Sequence, residues 1–128
     1  MNVRILIMII KIISLIGFLG FAAFTVLYVL MPAKFSPVME HSAFWYALGL
    51  AFMVTVTVLA LMIFLDPKRY WVLLVPLAAG KLTSSVTSLY LSQLYPSVQW
   101  LKLTVVTDGT IAIIAIILLI LSYIYLRG

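Results

Sequence analysis

Lys81 and Asp108 are the two residues of this sequence whose types could do chemistry in an apolar setting, since each lies deep within a long apolar run. An isolated charge at the centre of a membrane-spanning helix costs about 2.5–3.5 kcal/mol on insertion scales, so such residues pair, neutralise or serve a site. Lys81 heads a polar stripe in which Ser84, Ser85, Ser88 and Ser92 follow at helical spacing on one face. Asp108 has Thr104 one turn before it and Thr107 beside it. An acid, a base and a row of hydroxyls suit two roles. One is a polar interior site, such as a proton relay or an anchor for a quinone or lipid head group. The other is a paired strut that fixes helix register, with the serines as interhelical glue.

The elements that position them follow from composition. The chain has 128 residues, of which 66% are hydrophobic and only 9% charged; its mean hydropathy is +1.31. Soluble domains carry about 25% charge, and a fold of this size could not hide so much apolar surface from water. Lipid is the expected solvent. A spanning helix needs roughly 20 mostly apolar residues, and four segments qualify, at about 5–31, 42–65, 70–94 and 98–126. The breaks between them carry turn chemistry: Pro32 and Pro37 in the first, Asp66-Pro67-Lys68-Arg69 in the second, Tyr95-Pro96-Ser97 in the third. Arg4 and Lys11 before the first run resemble a signal peptide, but the run is too long for a signal core and no small-residue cleavage site follows it, so a retained helix is expected.

The expected fold is therefore all-α: a single membrane domain over residues 1–128, folded as a four-transmembrane-helix, up-down-up-down bundle. Arg4, Lys11, Lys68, Arg69 and Arg127 fall on one side, against Lys34 and Lys102 on the other. The richer side is expected to be cytoplasmic, with both termini on it. Trp45, Tyr46, Tyr95 and Trp100 then mark the outer boundary, and Tyr70, Trp71, Tyr123 and Tyr125 the inner one. On this layout Lys81 lies roughly 16 Å from the inner end of its helix and Asp108 roughly 15 Å from the outer end of the next. Both reach the midplane from opposite ends of one hairpin. Pro76 leaves a backbone carbonyl free one turn before Gly80, where a kink would turn acceptors towards the lysine.

Other residues carry less. Glu40 complements the dipole at a helix start, and His41 reads as a solvated interfacial residue. Gly17, Gly20, Ala22 and Ala23 give the first helix a small-residue surface, without GxxxG spacing. Tyr28, Tyr46 and Tyr90 suit internal hydrogen bonds or interfaces. The fourth helix is apolar on every face from Ile111 to Leu121, so some faces meet lipid or another subunit. There is no cysteine and a single histidine, which argues against thiolate metal sites, dithiol redox chemistry and a bis-histidine haem within one subunit. No metal site or cofactor is expected. The net charge of +5 comes from single cations at the ends of apolar runs, so nucleic acid is not an expected partner.

The pattern resembles the DoxX-like group of small four-helix membrane proteins. The likeness rests on a span, a short proline loop and a second span ending Phe64-Leu65-Asp66-Pro67-Lys68-Arg69. It continues through Gly80-Lys81-Leu82-Thr83-Ser84-Ser85 and a fourth span with Asp108-Gly109. The resemblance implies a four-helix bundle and, because some members look like subunits of quinone-linked oxidoreductases, a quinone neighbourhood. Small multidrug exporters are similar in length but use a glutamate in their first helix, which has no acid here. Four-helix thiol-quinone oxidoreductases need cysteines. The function expected is a non-catalytic accessory or structural subunit of a larger membrane complex in a prokaryotic cytoplasmic membrane, its partners being lipid and other membrane subunits or further copies of itself. The alternative is a small proton-coupled transporter, or a quinone- or lipid-binding protein, using a midplane site of Lys81, Asp108, Ser84, Ser85, Ser88 and Thr104.

Overall fold

A computed structural model describes residues 1–31 and 39–127, with side chains given for all of these except 39–42. The described chain is all-α, with four helices long and apolar enough to cross a membrane. We label them α1 (Val3–Leu30), α2 (Met39–Leu65), α3 (Pro67–Leu94) and α4 (Gln99–Leu126). The chain divides into two compact units, Met1–Leu6 with Lys68–Gly128 and Ile7–Pro67. Residues 32–38, which hold Lys34 and Pro37 of the expected first loop, lie outside the described residues, as do the side chains of Glu40 and His41.

Helix ends show why the spans begin and stop where they do. The Asn2 side-chain oxygen accepts the Arg4 amide at 2.9 Å, an N-cap that starts α1 two residues earlier than the hydropathy alone indicates. α3 begins at Pro67, whose missing N–H costs nothing in a first turn. It then tightens into a 3₁₀ turn at Trp71–Leu73 before running as α-helix from Leu74. Pro76 explains the tightening, because it has no N–H to offer the carbonyl of Val72 one turn back. At the far end the Tyr95 amide bonds to Leu91 O at 2.8 Å and the Val98 amide to Tyr95 O at 3.1 Å. That closes a four-residue turn with Pro96 at its second position, where a fixed φ is favourable.

Side-chain hydroxyls on the apolar helices are tied to their own backbone. Thr25, Thr55, Thr57, Thr104 and Thr110 each donate to the carbonyl four residues earlier, at 2.7–3.0 Å. This satisfies the hydroxyl where no water is at hand.

In the unit Ile7–Pro67, Tyr28 and Tyr46 form a reciprocal clasp. Tyr28 Oη donates to Tyr46 O at 3.1 Å, and Tyr46 Oη donates to Tyr28 O at 2.5 Å. The rings stack at 4.5 Å between centroids, with 9° between planes. Gly49 is the seat of this pair: a Cβ there would stand 2.5 Å from Tyr28 Oη and 3.2 Å from Cζ. A side chain at position 49 would displace the ring.

The other unit is organised by the α3–α4 hairpin. Lys81 meets Asp108, while Ser85, one turn later on α3, meets Val105, nearly one turn earlier on α4. Contacts that advance along one helix and retreat along the other establish an antiparallel pair. Buried positions repeat every seven residues, at Leu74, Lys81 and Ser88, at Ala78, Ser85 and Ser92, and at Leu101, Asp108, Ala115 and Ser122. A seven-residue repeat is the signature of shallow-angle helix packing with interlocking side chains.

Candidate functional site

The seam between α3 and α4 holds the two charges. Lys81 is at heptad spacing from Leu74 and Ser88, so its side chain falls in the buried stripe. Asp108 reaches the same layer from α4 by the same spacing. Lys81 Nζ stands 3.2 Å from Asp108 Oδ1, with the lysine side chain 2% and the aspartate side chain 12% exposed. Ser84, one turn past Lys81, donates its hydroxyl to Asp108 Oδ2 at 2.6 Å. Both carboxylate oxygens therefore have a donor, as a buried charge requires. Ser85 donates across the seam to Val105 O at 2.9 Å.

The helices come close here because of Gly109. A Cβ at that position would lie 2.9 Å from Ser85 Oγ, so a larger residue beside Asp108 would push α4 away or break the Ser85 bond. Small residues at such crossings let membrane helices pack through dispersion and hydrogen bonds, where lipid offers no hydrophobic drive.

The expected site residues divide accordingly. Lys81, Asp108 and Ser84 share one hydrogen-bonded cluster, and Ser85 bridges the helices beside it. Ser88 is buried further along the same stripe. Thr104 is engaged with Trp100 O on its own helix, at 3.0 Å. The roles of Gly109 and Gly49 are absent from the sequence reading. A glycine directly after a mid-span aspartate was the available signal for the first, whereas the partner of Gly49 lies on another helix. Among the described residues no group of three His, Cys, Asp or Glu side chains is placed to hold a metal ion.

Chemically, the arrangement is a paired cation and carboxylate with a serine donor, fixed between rigid helices. Fold and site together define a helical membrane protein of four spanning-length helices with an ion pair buried between the last two. Comparison with family models, curated proteins and solved structures returns no match to this chain.

Proposed function

We propose that this protein is a non-catalytic helical subunit of a larger membrane assembly, and that Lys81–Asp108 is a clasp fixing the register of α3 against α4. The observation that carries this reading is the closure of the pair: Asp108 spends one oxygen on Lys81 and the other on Ser84, and Lys81 is almost wholly buried. A group that must bind and release a ligand needs an open coordination position. A register clasp needs its partners satisfied in one geometry, which is the best-attested use of buried ion pairs. The bundle is read as up-down-up-down, with both termini cytoplasmic, in a prokaryotic cytoplasmic membrane. The resemblance to DoxX-like proteins supports a role beside a quinone-linked oxidoreductase.

The test is native purification from gently solubilised membranes, with mass spectrometry of the intact particle. A stoichiometric complex with unlike subunits is the expected result. A lone homo-oligomer with its own turnover or flux would overturn the reading.

A second reading, a small proton-coupled carrier, is favoured by one observation: the buried side chains of α3 are polar from Lys81 onward. It predicts that Asp108→Asn abolishes proton-driven flux in liposomes while leaving the fold intact.

A further inference from the structure

The two ends of the α3–α4 hairpin differ in charge. The antiparallel seam fixes which residues share an end, since Lys68 stands as far before Lys81 on α3 as Leu121 stands after Asp108 on α4. Lys68 and Arg69, in the first turn of α3, therefore lie at the same end as Tyr123, Tyr125 and Arg127 in the last turns of α4. Lys68, Arg69 and Arg127 are all exposed. Around the Tyr95–Val98 turn at the opposite end, Lys102 is the only described cation. Asp66, directly before Pro67, is the one acid beside the cationic end in sequence, and Asp108 is committed to the seam.

Depth places these cations among lipid head groups. Lys81 is at the middle of the span Pro67–Leu94, and the helix rises about 20 Å from there to Lys68. Half of a typical hydrocarbon core is about 15 Å, with the head-group layer just beyond it. Two of the cations are held against rings at that level. Arg127 Nη1 donates to Tyr123 Oη at 2.6 Å, and its Cζ lies 4.5 Å from the centroid of the same ring. Arg69 Cζ lies 5.3 Å from the Tyr70 centroid. These rings keep the guanidinium groups at the interface instead of letting them extend into water. Arg127 commits one donor of its fork to the tyrosine, and the remainder suit the paired oxygens of a phosphodiester. Lys68 adds a compact point charge beside them.

We infer that the hairpin end formed by Lys68, Arg69 and Arg127 binds the head group of an anionic phospholipid, with Arg127 as its fixed phosphate fork. Charge and depth together name the occupant, because the phosphodiester of a glycerolipid is the anion that a bilayer presents at this level. A zwitterionic head group brings a compensating ammonium, and free phosphate is a solute of the water beyond. The inference goes beyond both readings above and stands under either, since such a lipid anchors a subunit or a carrier equally well.

For the test, the full chain is placed in nanodiscs with equal amounts of phosphatidylglycerol and phosphatidylcholine of matched acyl chains. Native mass spectrometry then identifies the lipid retained on the released protein. A juxtamembrane cation favours an anionic surface by about fivefold, so the unaltered chain should retain phosphatidylglycerol over phosphatidylcholine by at least about tenfold. Arg127→Gln, and Lys68→Gln combined with Arg69→Gln, should each cut that preference by about fivefold or more. Lys102→Gln, at the opposite end, should leave it unchanged. Equal retention of the two lipids by the unaltered chain would overturn the inference, and that measurement depends on no variant folding. A loss with Lys102→Gln as large as with Arg127→Gln would also overturn it, by marking a general attraction without a site. Inorganic phosphate added to the lipid-loaded protein should leave phosphatidylglycerol in place; its displacement would assign this end to a soluble anion and overturn the lipid assignment.

Discussion

Removing one member of the Lys81–Asp108 pair takes the buried ion-pair partner from the other, and the structure sets the size of the effect. At 3.2 Å the gross attraction is about 5 kcal/mol with an effective dielectric near 20. Desolvation offsets part of it, and truncating one partner of a buried pair typically costs about 3–5 kcal/mol. Asp108→Asn takes the carboxylate from the buried Lys81 ammonium, and Lys81→Met leaves Asp108 with Ser84 as a donor. Each single change is therefore expected to destabilise the fold by about 3–5 kcal/mol. The double variant Lys81→Met with Asp108→Asn strands no charge, so it should be more stable than the sum of the singles implies. The expected coupling energy is about 2–3 kcal/mol, in the upper range for residues in direct contact. Reversible unfolding in mixed micelles or bicelles, followed by helical circular dichroism, measures all four corners of the cycle. Additive losses, with a coupling below about 0.5 kcal/mol, would refute the idea that the two charges act as one clasp.

Three further outcomes follow from named contacts. Gly109→Ala places a Cβ 2.9 Å from Ser85 Oγ, so Ser85 must surrender Val105 O; a loss of about 0.5–2 kcal/mol is expected in the same unfolding assay, and Gly109→Leu should lose more. Tyr28→Phe and Tyr46→Phe each delete one hydrogen bond of the reciprocal clasp, with an expected cost of about 1 kcal/mol apiece. Gly49→Leu should cost at least as much as both together by evicting the Tyr28 ring, and a change in near-ultraviolet circular dichroism should accompany it.

Much of the fold was legible because lipid imposes a simple rule: every backbone polar group must be satisfied within the segment, so long apolar runs become helices. The four spans follow from run length, and the closing turns from Asp66-Pro67 and Tyr95-Pro96. The starts were less legible, since Asn2 caps α1 by a side-chain bond that hydropathy does not register. The 3₁₀ turn at Trp71–Leu73 was foreshadowed by Pro76, although the altered segment lies before the proline rather than towards Lys81.

At the site, the meeting of Lys81 and Asp108 was readable from depth alone, as both charges fall near the same level of one hairpin. The Ser84 donor was readable from helical spacing. The choice of Val105 O by Ser85, and of Trp100 O by Thr104, was not: a hydroxyl in a helix competes between its own backbone and its neighbour, and interhelical distance decides. Gly109 sets that distance at the seam, and its effect is visible only once Ser85 is placed opposite it.

The central claim is that the buried pair holds two helices in register within a subunit and performs no chemistry of its own. The most direct test is to express the charge-free double variant, Lys81→Met with Asp108→Asn, in place of the natural chain and quantify the native assembly that co-purifies with it. Recovery of the same stoichiometric complex at near-natural yield is the result predicted, because a neutral pair preserves the seam without a stranded charge. A variant that folds and inserts normally, yet leaves the cell as deficient as deletion of the chain, would contradict the claim and assign the pair to chemistry.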